Sequence, residues 1–239
     1  MSSAEKALIR WMGKAITQRN MIQDGDRILV GVSGGLDSLS LLYLLKKRLR
    51  WIPIEYELYA LHIDLGFGGN TQDKLKEFFE SISVKYRIVP TDIGIRAHSE
   101  ENRENPCFLC SWHRKRLLFE IADELKCNKI ALAHHKDDVI ETFLINLLYS
   151  GSISTIKPVQ DFFNGRFHII RPFYLTEKSL IIRFAKKMQF PAIDQLCPSS
   201  KGSKREKIRG LLRSLYREDP KIKGNIFHAI HNVRKEYLP

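Results

Sequence analysis

Apolar runs of strand length alternate along the chain with longer stretches whose apolar residues recur at helical spacing. Asp26 to Val32 reads as a strand, Leu39 to Leu49 as a helix and Glu55 to Ile63 as a second strand. A polar helix at Thr71 to Ser81, a strand at Lys85 to Val89, a helix at Trp112 to Leu125 and a strand at Lys129 to Ala133 follow. The rhythm closes with a long helix at Asp137 to Leu148 and a strand around His168 to Arg171. This alternation predicts an α/β fold, a doubly wound parallel sheet with helices on both faces. Ligands in such a sheet bind at the carboxyl ends of the strands. Three segments are expected: an N-terminal helix (1–24), the α/β domain (25–195) and a basic helical extension (196–239).

The 239 residues are 44% hydrophobic, ample for a buried core. The longest apolar stretches, such as Ile28 to Val32 and Leu41 to Leu45, fall far short of the roughly 18 to 20 residues that span a bilayer, so no membrane association is expected. Met1 to Ile16 reads as a charged amphipathic helix with Glu5, Lys6, Arg10 and Lys14, without the apolar core of a secretory signal. A cytoplasmic location is the expectation. There the four cysteines would be free, metal-binding or catalytic rather than disulfide-bonded.

Charge adds a partner class. The net charge is +12, and the chain from Leu196 onward, with 11 Lys or Arg against 4 Asp or Glu, supplies +7 of it. Leu211, Leu212, Leu215 and Tyr216 recur at helical spacing among Arg209, Arg213 and Arg217, predicting an amphipathic helix with a cationic face. A polyanion such as a nucleic acid suits that charge, and a merely solvated face is the plain alternative.

Gly31-Val32-Ser33-Gly34-Gly35-Leu36-Asp37-Ser38 follows a strand and opens a helix. Gly34 and Gly35 allow close approach of a phosphate, the helix N-terminus adds partial positive charge, and Ser33 and Ser38 offer hydroxyl donors. Asp37 would repel a bare phosphate and suits a magnesium ion instead. The Gly-Lys-Ser/Thr ending of a Walker A loop is missing. Ser33 to Ser38 resembles the SGGxDS signature of the PP-loop, or N-type, ATP pyrophosphatases. The resemblance implies a Rossmann-like (HUP) fold, ATP as substrate, adenylation of a carbonyl or carboxylate oxygen, and pyrophosphate held by the loop. It also places adenine and ribose near His62, Asp64 and the run Gly66 to Gly69. Ala133 to Thr142, with His134, Asp138 and Glu141, resembles the HxxDDxxET element of the tRNA-modifying members and implies a place for His134 and Asp138 beside the reacting phosphate, with Asp37 and Asp138 positioning magnesium.

Cys107 and Cys110 form a CxxC in a predicted loop before the helix Trp112 to Leu125, and Cys197 stands in a Leu-Cys-Pro. Cys127, between a helix and a strand, reads as a small buried hydrophobe outside any site. A lone CxxC is compatible with a redox pair, half a zinc site or iron-sulfur ligation. The phosphate loop, the PCxxC and the distant cysteine together resemble the tRNA 2-thiocytidine synthetases. That implies a 4Fe-4S cluster on Cys107, Cys110 and Cys197, tRNA as partner, C2 of a cytidine, expected at position 32, as target, and sulfur from a cysteine desulfurase or free sulfide. The family often forms homodimers, and nothing in this sequence demands one. Leu36 stands where those enzymes usually carry lysine; SGGLDS is typical of lysidine synthetases, which lack the cysteines. Zinc-ribbon thiouridine synthetases carry CxxC pairs absent here. Small-molecule amide synthesis and a nucleotide-binding module with structural zinc are the remaining alternatives.

Overall fold

The structure is a computed structural model, which describes residues 2–68, 71–191, 197–200, 203–234 and 236. Its elements are α1 (Ser3–Gln18), β1 (Asp26–Gly31), α2 (Leu36–Arg48), β2 (Tyr56–Asp64), α3 (Thr71–Ser81), β3 (Lys85–Pro90), α4 (Ile93–Ala97) and α5 (Pro106–Glu124). Then come β4 (Lys129–Ala131), α6 (Lys136–Ser150), β5 (Val159–Phe162), β6 (Phe167–Ile170), α7 (Lys178–Lys187), a 3₁₀ turn (Pro198–Ser200), α8 (Lys204–Glu218) and α9 (Lys221–His231).

The strands form one sheet in the order β3-β2-β1-β4-β6-β5, parallel except for the edge strand β5. The order reverses between β1 and β4, so the crevice at their carboxyl ends is the topological switch point. Successive β1 side chains point to opposite faces: Ile28 and Val30 enter the core shared with α1, α2 and α7, while Leu29 enters the core under α5. α2 is held by Leu39, Leu41, Leu42, Leu44 and Leu45, all fully buried. The N-terminal helix belongs to the same core through Leu8, Met12, Ala15 and Ile16, and its buried Glu5 pairs with Lys47 of α2. Among the described residues, no helix is long and apolar enough to cross a membrane.

Three features depart from the sequence reading. α4 and α7 are additional helices, and β5 adds the antiparallel edge. α5 starts six residues earlier than expected, so Cys107 and Cys110 lie in its first turns and not in a loop. The cause is local: Pro106 sits at the first helical position, and Asn105 Oδ1 accepts from the N–H groups of Cys107 (3.0 Å) and Phe108 (3.2 Å). The expected boundary between 195 and 196, Gly69 and the leucine before Cys197 lie outside the described residues. Beyond that boundary, α8 and α9 pack on α6, with Ile208 and Leu212 buried against Ile140.

Candidate active site

β1 runs into the glycine loop, and Val32 still donates to Leu61 O (2.8 Å) before the chain turns. Gly34 takes φ +89°, a left-handed conformation that only glycine adopts cheaply. Gly35 then starts α2 with no side-chain cap, leaving first-turn N–H groups to an incoming anion. The hydroxyls organise the loop: Ser38 Oγ donates to Gly35 O (2.8 Å), and Ser33 Oγ accepts from Gly35 N–H (3.3 Å). Asp37 Oδ1 is buried and has no hydrogen-bond partner among the described residues. Its Oδ2 lies 3.8 Å from both Lys178 Nζ and His135 Nε2. An unsatisfied buried carboxylate oxygen at a phosphate loop is the donor a hard divalent cation such as magnesium uses, so the residues present fit that ion.

The end of β2 forms the next wall. The His62 ring donates from Nδ1 to Val32 O (2.8 Å), and burial lowers its pKa, keeping the imidazole neutral. Nε2 is therefore a buried acceptor, and it has no partner among the described residues. Asp64 accepts from Gly66 N–H (2.9 Å) and Gln72 Nε2 (2.6 Å). Burial alone would raise its pKa, but those bonds and His62 outweigh it and hold the carboxyl below its usual range. A Cβ on Gly66, which has φ +84°, would come within 2.6 Å of Thr91 O, so the loop after β2 needs glycine there.

Opposite stands the cysteine wall. Cys107 is exposed, Cys110 and Cys197 are half-buried, and all three line one cavity of about 280 Å³ together with Ser33, His62 and Asp64. Burial raises the Cys110 thiol pKa, opposed by the Arg114 guanidinium and reinforced by the neighbouring Cys197 and Cys107. Cys197 is carried by the turn in which Ser199 Oγ meets His98 Nε2 at 2.7 Å. Three soft sulfur donors from two distant segments suit a thiophilic metal or an iron-sulfur cluster. The sulfurs are not drawn into a closed set, because among the described residues no three His, Cys, Asp or Glu side chains are gathered as a metal site. Cys127 stands apart, buried under α5, with its pKa pushed up to about 11 by burial.

A PP-loop domain matches residues 6–214. The chain belongs to the PP-loop family. A curated tRNA-cytidine(32) 2-sulfurtransferase of Alkalilimnicola ehrlichii is 37% identical over all of this chain and 76% of its own. The protein of that name from Geotalea uraniireducens is 34% identical over 95% of this chain and 91% of its own. Among solved structures, the U34-tRNA thiolase NcsA from Methanococcus maripaludis with its [4Fe-4S] cluster aligns over 98% of this chain and 79% of its own, with a TM-score of 0.79 at 23% identity. An NH3-dependent NAD synthetase from Campylobacter jejuni, at TM-score 0.54 and 17% identity, covers 99% of this chain and 95% of its own, so the same sheet architecture extends beyond RNA enzymes.

In this PP-loop protein the HxxDDxxET element runs into the start of α6. His135 caps α6: its Nδ1 accepts from Asp138 N–H (3.3 Å), and Asp138 Oδ2 accepts from His135 N–H (3.0 Å). The other oxygen of Asp138 meets Arg205 Nη1 at 3.3 Å. Glu141, buried, pairs with Arg209 Nε at 2.7 Å and lies 3.6 Å from Arg205. Asp137 accepts from Lys178 N–H and pairs with Lys223 Nζ (2.7 Å). His134 accepts from Arg171 Nε at 3.3 Å, and burial with the Arg171 charge drives its pKa down to about 4. Neither His134 nor Asp138 lines the cysteine cavity. Part of the C-terminal positive charge is thus spent on α6, whereas Arg213 and Arg217 remain exposed. Lys178, Arg114 and His98 carry no motif that marks them in sequence, and His135 fills an unspecified position of the HxxDDxxET string.

Proposed function

We propose that this protein is an ATP-dependent tRNA sulfurtransferase that adenylates the C2 carbonyl oxygen of a tRNA cytidine, position 32, and replaces that oxygen by sulfur. The observation that carries the reading is the shared cavity: Cys107, Cys110 and Cys197 open onto the same space as Ser33, His62 and Asp64. Activation and thiolation of one base need such adjacency, because an adenylated base exposed to water would hydrolyse. The relatives' names agree with it.

ATP would lie across the carboxyl edge with its phosphates at the uncapped start of α2 and its nucleoside toward His62 and Asp64. Magnesium would be held by Asp37. The cytidine O2 attacks the α-phosphorus, the bond to the β-phosphate oxygen breaks, and pyrophosphate leaves into the loop. Amides of the loop take up the charge that develops on it, aided by Lys178 beside Asp37. Hydrosulfide sulfur then adds at C2, the C2–O bond breaks, and AMP departs with the former carbonyl oxygen, so no electrons are gained or lost overall. Cys107, Cys110 and Cys197 would hold the 4Fe-4S cluster, which supplies an iron without a protein ligand as the point of sulfur delivery. The hydrosulfide is free sulfide, or sulfide released by a thiol reductant from the persulfide of a cysteine desulfurase, the reductant supplying the two electrons and becoming a disulfide, and the exposed arginines of α8 hold phosphates of the RNA. As an enzyme acting on tRNA it would work in the cytoplasm.

The test is anaerobic purification, iron and sulfide analysis, and ATP-dependent formation of 2-thiocytidine in tRNA, read by nucleoside mass spectrometry. Cys107→Ser should lose iron and thiolation together. Zinc in place of iron, with no pyrophosphate released in the presence of tRNA, would overturn the reading.

A further inference from the structure

The helix that carries Cys107 and Cys110 also carries two bare aromatic rings. Phe108 is 62% and Trp112 is 51% exposed. Four residues apart, they stand one above the other on a single stripe of α5. Cys107, Cys110 and Arg114 of the same turns line the cavity, and at about 100° per residue the aromatic stripe adjoins the cavity stripe. The only ring contact of Trp112 among the described residues is with its neighbour His113, at 4.9 Å. From Pro106 to Phe119 there is no carboxylate, while His113, Arg114, Lys115 and Arg116 follow directly on the tryptophan.

We infer that Phe108 and Trp112 form a stacking platform for the unpaired RNA bases next to the nucleotide that enters the cavity. The inference rests on the functional reading above and adds the surface on which the strand lies. A base turned out of its stack to reach a reaction chamber strips a stacking partner from each neighbour. Aromatic side chains at the rim replace those partners without regard to base identity, and nearby cations neutralise the phosphates between them. Rings that served only to pack the helix would face the core under α5, where Phe119 and Ile121 lie.

Binding of a tRNA transcript containing cytidine in its anticodon loop, measured with the full-length protein purified anaerobically, tests this. Trp112→Ala and Phe108→Ala should each weaken binding about 5- to 100-fold, while Trp112→Phe keeps most of the affinity. The dependence of binding on salt should keep its wild-type slope, because no phosphate contact is removed, and ATP affinity should not change. In a protein with Trp11→Phe and Trp51→Phe, the remaining tryptophan fluorescence should be quenched by the RNA. Wild-type tRNA affinity in the Phe108→Ala, Trp112→Ala double variant would overturn the inference and leave the functional reading standing. So would a fall in sedimenting mass at unchanged tRNA affinity, since the rings would then cover a second copy of the chain. If the wild-type protein bound no tRNA, both readings would fail together.

Discussion

Arg209→Met separates two readings of the basic C-terminal helix. By sequence alone Arg209 belongs to a cationic face open to nucleic acid, whereas in the fold its Nε sits 2.7 Å from Glu141 Oε1. The Glu141 side chain is 6% exposed and that of Arg209 44%. Breaking a fully buried pair costs about 3–5 kcal/mol, and exposed pairs are worth about 0.2–1 kcal/mol. The half-exposed arginine is screened by water, and Arg205 stays 3.6 Å from the other carboxylate oxygen. The loss should therefore fall between those limits, about 1–2 kcal/mol. At about 2–4 °C per kcal/mol for a chain of this size, Tm should drop by about 2–8 °C. Denaturant unfolding of Arg209→Met, Glu141→Gln and the double variant would give a coupling energy of about 1 kcal/mol. The tRNA affinity should change little. Arg213→Gln and Arg217→Gln should behave oppositely, with unaltered stability, weaker tRNA binding and a salt slope reduced by about one each. If Arg209→Met left stability unchanged and weakened tRNA binding, the clamp would be refuted.

Asp37→Asn should remove most ATP-dependent pyrophosphate release while leaving tRNA affinity intact; release at the wild-type rate would exclude Asp37 as the magnesium ligand. In protein stripped of metal, iodoacetamide should modify exposed Cys107 first and Cys127 last. With its pKa pushed up to about 11, the Cys127 rate should rise about tenfold per pH unit through the neutral and mildly alkaline range, as its thiolate fraction does. Acid should weaken the fold through His134, whose folded pKa of about 4 lies below the unfolded value of about 6.5. The unfolded chain takes up the proton first, so stability is intact above about pH 6.5 and falls by up to about 3 kcal/mol toward pH 4; His134→Gln should flatten that fall in pH-dependent urea melts.

The sheet was legible because its strands and helices announce themselves locally. β1 carries the apolar run Ile28 to Val30, and α3 shows a clear apolar stripe through Leu75, Phe78 and Phe79, so the expected and observed limits of that helix coincide. α4 spans five residues and β5 four, too short for any period to register. The start of α5 is marked in the sequence, since Asn105-Pro106 is a cap followed by a first-turn proline, but the CxxC that follows reads equally as a loop. The ion pairs of α8 are a different matter. Arg205 and Arg209 meet Asp138 and Glu141 across 67 and 68 residues of chain, and no local pattern encodes which cation faces a carboxylate and which faces water.

Topology explains why two of the three cavity cysteines reach the edge that carries the glycine loop, and why the third needs more. In a parallel sheet every crossover helix begins at the edge where the strands end. Ser33 follows β1, His62 and Asp64 close β2, and α5 opens the last part of the crossover from β3 to β4. A CxxC in the first turns of α5 is therefore delivered to the same edge as the phosphate loop; moved to the last turns, it would lie at the opposite edge, a helix length away. Cys197 has no such guarantee, because among the described residues no strand lies between α7 and α8, where it stands. Its approach rests on side chains: Phe190 packs against Tyr43, Phe78 and Phe184, and Ser199 meets His98. Those contacts hold Phe190 against α2 and α3 and Ser199 against the cavity-lining His98, so the third sulfur is placed by packing where the first two are placed by the order of strands and helices.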